Sequence, residues 1–193
     1  LLERLPRVGK KILLTGNGKC NLGNRHSDFT HYHGTLPQAK QILSGFDSER
    51  WFRQFGLLTR SDSEGRMYPM SGTATSVLDA LRFAAEQKGV RILCDRQVTA
   101  ITQKKNKWQV TAGNSFFSAD ALILASGGSA APNCGTDGNL LPILRKMGYT
   151  MIEPRPALCP ILTAPTMVRA MKGLRVRADE DELNDIIDNV LAE

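Results

Sequence analysis

The sequence predicts an α/β fold that carries a small antiparallel β meander, and three observations predict it. "TATSVLDALRFAAEQKG" repeats apolar residues at helical spacing, with Val77, Leu78, Leu81, Ala84 and Ala85 on one stripe and Gly89 as the stop. "VRILCD" and "DALILASGG" are short, mostly apolar runs of the kind that strands covered on both faces require. Between them "QVTAITQ", "KWQVTAG" and "SFFSA" follow one another at hairpin spacing and read as the meander.

Taken from the N-terminus, Leu1 and Leu2 read as the end of a strand that runs into Glu3, and the apolar run ending at Leu14 reads as a second buried strand. "TLPQAKQILSGF" and "DSERWFRQFG" read as short helices, the second opened by Asp47 or Ser48 as a cap and closed by Gly56. Trp51, Phe52 and Phe55 lie at helical spacing with Arg50 and Arg53 between them, which predicts a packed amphipathic helix rather than a ligand wall. After the meander and "DALILASGG" comes a helix, "GNLLPILRKMGY", with Pro142 near its start. The strand-like "TMIEP" and "LRVRA" and an acidic C-terminal helix follow. The chain opens on two apolar residues without a Met and passes from "LRVRA" to the acidic helix with no turn residue, so a fragment is expected.

A chain of 193 residues with 41% hydrophobic and 23% charged content is long enough for one substantial core and a small second module. No apolar run approaches the ~18 residues of a membrane-spanning helix and no signal peptide opens the chain. A soluble, cytoplasmic protein with no membrane partner is expected. Cys20, Cys94, Cys134 and Cys159 are irregularly spaced with no C-x-x-C pair, which argues against structural zinc and against a disulfide framework. The formal charge of +6 comes from scattered lysines and arginines without interleaved aromatics. That pattern suits an anionic cofactor or a solvated basic surface, and no nucleic-acid partner is expected. "HYH" places His31 and His33 on one side of an extended segment, but without a third ligand no metal is expected, and the segment reads as a loop near a substrate cavity.

The loop "TGNGKCNLGN" spends its positions on glycines, asparagines and one lysine directly after an apolar run. Gly16 and Gly18 let backbone approach a flat or anionic ligand, and successive N–H groups can form an anion-binding concavity with Asn17, Asn21 and Asn24 beside it. Cys20 has no partner thiol in the sequence and reads as a small residue packed near the ligand. In open α/β sheets ligands gather at the carboxyl ends of strands, which singles out Glu3, this loop, and Ser126, Gly127 and Gly128 after "ALILA". An acidic residue closing the second strand of a dinucleotide fold accepts hydrogen bonds from ribose hydroxyls, and Glu3 has that context.

"LLERLPRVGKKILLTGNGKCNLGN", "GRMYPMSGTATSVLDAL", "ALILASGGSAAPNCGTDGNLLPILRKMGY" and "EPRPALCPI" together resemble the BaiN/YhiN-type family of FAD-dependent oxidoreductases, flavoproteins with two dinucleotide-binding domains. The resemblance runs from Leu1 to about Ala178. It implies a partial Rossmann-like FAD-binding domain over residues 1–165 and a remnant of an inserted substrate-side domain over 166–193, with the N-terminal G-x-G-x-x-G unit lying upstream. It further implies that Glu3 meets the adenosine ribose, that Lys11 approaches the phosphates, and that Thr15, Gly16, Asn17, Gly18, Cys20 and Asn21 follow the ribityl chain and flavin ring. The usual third glycine of that loop is Asn17 here, and the usual arginine before the cysteine is Lys19, which lacks the planar fork. Val98 fits the position whose backbone meets adenine, Ala125 to Gly128 match an A-T-G-G strand end with Ser126 keeping the hydroxyl, and Gly135, Thr136, Asp137 and Gly138 match the segment that returns to the flavin at a helix start. Asp137 reads equally as the cap of that helix.

The implied chemistry is hydride transfer from NADH or NADPH through FAD to a small-molecule acceptor with an unsaturated, carbonyl-conjugated bond. Tyr68, His31, His33 and Cys134 are candidate proton donors by residue type, and no catalytic residue or oligomeric state is assigned. A second reading is an inactive flavoprotein fragment serving as a binding module. The two separate in an absorbance scan after gel filtration. An added N-terminal segment of about thirty residues with strand, G-x-G-x-x-G turn and helix should give stoichiometric FAD, while the chain alone should hold little. Tight flavin retention by the chain alone would show that the upstream turn is not where binding energy lies.

Overall fold

The computed structural model describes residues 1–32 and 37–155, of which Leu1–Pro154 form one compact unit. The backbone of residues 1–5 runs parallel to residues 91–96: the Glu3 N–H donates to the Leu93 carbonyl (2.9 Å), the Leu93 N–H to Leu1 (2.9 Å) and the Arg96 N–H to Glu3 (2.8 Å). Only Leu2 and Leu93 form a regular bridge, so "VRILCD" is a short parallel contact rather than the expected buried strand. "DALILASGG" departs further, since residues 121–128 belong to no strand and Ile123 is 90% exposed. A buried parallel strand needs ladder partners on its edges and cover on its faces, and residues 121–125 find neither among the described residues. "TMIEP" likewise forms no strand over residues 151–154.

The run ending at Leu14 is a helix, not a strand. Helix α1 spans Lys10–Leu14 and is entered through Gly9 at φ 82°. A Cβ on Gly9 would lie 2.2 Å from Leu78 Cδ1, so the glycine is what permits α1 to lie on the long helix α4, Ala74–Gln87. The predicted stripe of α4 faces this contact, with Val77 only 1% exposed. Cys20, Leu57, Ala74 and Val77 form the core, packed round by Ile12, Leu13, Leu22, Phe52, Ala80 and Leu81.

Helix α2 spans Pro37–Ser44 and α3 spans Ser48–Arg53, where the Asp47 carboxylate caps by accepting the Arg50 N–H at 3.0 Å. Phe52 reaches the core, whereas Trp51 packs edge-on against Phe52 and Phe55 at 4.8 and 4.7 Å, so the aromatic set is internal packing. The strands β1 (Gly23–Asn24), β2 (Thr59–Ser61) and β3 (Arg66–Pro69) form an antiparallel sheet ordered β1-β3-β2 that the sequence reading missed. Its hairpin turn is held by Asp62, whose Oδ1 accepts the N–H groups of Glu64 and Arg66 at 3.0 Å each.

The expected meander is present as β4 (Val98–Lys104), β5 (Lys107–Ala112) and β6 (Ser115–Ala119), in that order and antiparallel. Lys105 and Asn106 both take positive φ, as the tight turn between twisted strands requires. Ile101 and Val110 sit opposite each other and are buried. Helix α5, Leu141–Lys146, packs on β4 and has Pro142 in its first turn. "LRVRA", the "PALCP" of "RPALCP", Cys159, His33 and the acidic helix lie outside the described residues.

Val77→Ala should destabilise the unit by about 2 kcal/mol, as a methyl-deleting change in a closed site does, and Phe83→Ala on the exposed face of α4 should stay within about 0.5 kcal/mol. Urea midpoints of the two variants check the ordering. Equal losses would mean that α4 buries a different face.

Candidate functional site

The Thr15–Gly18 turn and the residues after it have an uncommon backbone. Gly16, Asn17, Gly18 and Cys20 take φ of 56°, 53°, 78° and 56°, so four of five successive residues are left-handed. Such a turn is pinned at both ends. Thr15 Oγ1 donates to the Ile12 carbonyl (2.8 Å), the Cys20 N–H donates to Thr15 (3.0 Å), and the Leu22 N–H donates to Met67 on β3 (2.7 Å). Asn21 Oδ1 accepts the Gly23 N–H at 3.0 Å. Cys20 itself is buried in the core, while Gly16, Asn17, Gly18 and Lys19 are exposed.

The two glycines differ in what requires them. A Cβ on Gly16 would meet the Asn21 backbone nitrogen at 2.8 Å and the Tyr68 ring at 3.5 Å, so this glycine serves the fold. A Cβ on Gly18 would find only the Leu13 carbonyl oxygen, at 3.8 Å, so packing within the described residues does not demand a glycine there. Its φ of 78° still favours one.

A second group gathers round Glu3. Glu3 Oε1 accepts the Leu5 N–H at 2.8 Å, and Val98 opens β4 two residues after Arg96, whose N–H binds the Glu3 carbonyl. Arg4 Nη1 pairs with Asp137 Oδ1 at 2.5 Å, and a Cβ on Gly135 would press on Leu5 at 3.2 Å, which fixes residues 135–138 against residues 4 and 5. The Gly138 N–H donates to Gly128 at 3.0 Å, and a Cβ on Gly127 would meet Thr136 Cγ2 at 2.9 Å. Glu3, Val98, Ser126 to Gly128 and Gly135 to Gly138 therefore share one neighbourhood. Lys10 Nζ donates to the Asn133 carbonyl, tying the start of α1 to that neighbourhood, and the end of α1 delivers the Thr15–Gly18 turn. Helix α1, five residues long, has an axial length of about 7.5 Å. Lys11 is exposed on α1, with no hydrogen bond or ion pair among the described residues.

The segment Gly135 to Gly138 does not open a helix. Helix α5 begins three residues later at Leu141, and Gly138 at φ 76° breaks any upstream continuation. Asp137 is thus not its cap; its Oδ1 accepts the Asn139 N–H at 3.2 Å and the Arg4 guanidinium. That Arg4 hydrogen bond holds the Asp137 carboxyl below the usual carboxylate range.

Of the candidate proton donors, Tyr68 lies against the glycine loop at Gly16. Cys134 is buried with Sγ directed at Asn133 Oδ1, and His31 Nδ1 stands 3.1 Å from Asp28 Oδ1 in an exposed turn. No group of three potential metal ligands occurs among the described residues. The Arg4–Asp137 pair and the β2–β3 hairpin were missed in the sequence, although Asp62 followed by Ser, Glu and Gly65 was the available turn signal.

The HI0933-like protein Rossmann domain matches residues 1–179. A 3-dehydro-bile acid delta(4,6)-reductase of Clostridium scindens is 35% identical over 92% of this chain and 44% of its own length. Ribosomal RNA dihydrouridine synthases of Haemophilus influenzae and Escherichia coli are 24% and 21% identical, over 87% and 90% of this chain and 44% of their own lengths. The chain spans less than half the length of these curated relatives.

Because Asp137 titrates lower in the folded state, its contribution is complete above the ordinary carboxylate value near 3.9 and is lost as pH falls below it. Asp137→Asn should therefore be less stable than the parent at neutral pH, with the gap closing in acid. Thermal midpoints from pH 7 down to pH 3 check this, and a gap that persists unchanged in acid would assign the loss to something other than the charge.

Proposed function

The chain belongs to the HI0933-like family, the BaiN/YhiN-type flavoproteins, and from that premise we propose that it is the flavin-holding part of an FAD-dependent oxidoreductase. In this reading the reductant is NADH or NADPH and the acceptor is a small molecule whose double bond is conjugated with a carbonyl. The observation that carries it is the exposed left-handed turn at Gly16 to Gly18, where a Cβ on Gly18 would meet no side chain within 4 Å, so that its backbone stands open to a ligand. The named reductase relative supports reduction as the reaction class.

The residues present fit the cofactor. Glu3 uses one carboxylate oxygen on the Leu5 N–H and has the second without a hydrogen bond among the described residues, available to ribose hydroxyls. Lys11, without an ion pair among the described residues, is a cation available to phosphate. Thr15 to Asn21 offer backbone and the Asn17 and Asn21 amides to the ribityl chain and ring. Val98, Ser126, Gly127, Gly128, Gly135, Thr136, Asp137 and Gly138 bring backbone and small side chains towards adenine and the return to the flavin. Bound FAD supplies the two-electron chemistry; the protein binds, orients and shields. Residues 1–165 act as the cofactor part and 166–193 as part of a substrate-side domain. The scattered basic residues support a small-molecule acceptor over nucleic acid, and no helix among the described residues is long and apolar enough to cross a membrane.

In the chain extended by an N-terminal strand, G-x-G-x-x-G turn and helix, Gly18→Val should lower FAD retention at least about tenfold, because a branched side chain would stand where backbone meets the ring. Cys20→Ser should keep most of the cofactor. Visible flavin absorbance relative to protein after gel filtration is the measurement, with circular dichroism to confirm folding. Full flavin occupancy in a folded Gly18→Val variant would remove this loop from the site.

A further inference from the structure

Arg60 on β2 and Tyr68 on β3 are directly opposite each other, so their side chains leave the same face of the hairpin with Cβ atoms about 5 Å apart. The other face carries Thr59, Ser61, Met67 and Pro69, and Met67 and Pro69 are buried, so Arg60 and Tyr68 face away from the core. The Tyr68 ring lies against the glycine loop, 3.5 Å from the position of a Cβ on Gly16. Two arginines share this face and only one is neutralised. Arg66 binds Asp62 at 2.8 Å and Glu64 at 2.9 Å, which commits both carboxylates of the turn. Among the described residues the Arg60 guanidinium makes no hydrogen bond or ion pair, and the Tyr68 hydroxyl makes no hydrogen bond.

From this juxtaposition we propose that Arg60 and Tyr68 form an anion-recognising wall beside the glycine loop, so that the acceptor handled there carries a carboxylate or phosphate group; its place on the acceptor side rests on the flavin reading above. The guanidinium fork matches two oxygens of either anion, which a lysine would not do. The Tyr68 ring offers a flat apolar surface to an unsaturated, planar body, and its phenol donates a hydrogen bond to an oxygen at that body's edge. Arg60 thus sets which acceptors are held, and Tyr68 sets how they lie relative to the loop.

The test is equilibrium dialysis of this chain against labelled trans-cinnamate, a planar conjugated carboxylate, with inorganic phosphate and neutral cinnamyl alcohol as competitors. Arg60→Met keeps the apolar stem and should weaken cinnamate at least fivefold, Tyr68→Phe should weaken it about threefold, and Arg60→Lys should restore little. Competition by phosphate stronger than by unlabelled cinnamate identifies phosphate as the natural group; weaker competition identifies a carboxylate. Equal cinnamate affinity in the parent and a folded Arg60→Met variant, or equal competition by cinnamyl alcohol, would overturn the proposal. Flavin uptake by the N-terminally extended chain and its Arg60→Met variant is read separately. Retained FAD with an unchanged cinnamate affinity sinks the wall alone, whereas absence of FAD from both chains sinks the flavin reading and with it the acceptor-side assignment.

Discussion

The left-handed run from Gly16 to Cys20 is the constraint on which the rest of the unit depends. Asn17 and Cys20 are not glycines, and holding such residues at positive φ costs about 1–2 kcal/mol each. The surroundings over-determine that geometry. Cys20 is locked into the core beside Leu57, Ala74 and Val77, and the Leu22 N–H is fixed to β3, so the chain enters from α1 and leaves onto a sheet within a few residues. Relaxing the turn would withdraw Cys20 from the core or detach β1 from β3. A strained exposed loop on a rigid base is where backbone can be offered to a ligand without reorganisation.

The legible parts of the fold were those whose signal is local. Helix α4 carries its own stripe and stop, α3 its own cap, and the meander its own turns at Lys105–Asn106 and Gly113. Helix α1 was misread because three apolar residues between lysines and a threonine fit either period, and what decides it is Gly9 allowing close packing on Leu78, a contact 69 positions away in the sequence numbering of Gly9 and Leu78. "VRILCD" and "DALILASGG" were overread for the converse reason. Composition makes a run fit to be a parallel strand, but its ladder comes from neighbours far along the chain.

In the candidate site, clustering of glycines and asparagines was legible because positive φ and open backbone leave a compositional mark. The pairing of Arg4 with Asp137 left none, since the two are separated by 133 positions and each is an ordinary charged residue in its own stretch. Asp137 was taken to a helix start because a Gly-Thr-Asp-Gly run before an apolar helix resembles a cap. Gly138 and Pro142 instead delay the helix to Leu141. The β2–β3 hairpin was passed over because strands of three and four residues that contain Arg, Ser and Pro give no clear alternation.

Helix α1 gives the two halves of the site a common mount. Its first residue reaches the Asn133 carbonyl in the group around Glu3, its last leads into the glycine turn, and Gly9 fixes its approach to α4. A helix of five residues is too short to be stable by propensity alone, so its position is set by packing and by these end contacts. A side chain at Gly9 that pushes α1 off Leu78 would then displace both groups together, whereas loss of the Arg4–Asp137 pair would loosen only the loop beside Glu3. One short helix, seated by one glycine, thereby positions the group around Glu3 and the Thr15–Gly18 turn relative to each other.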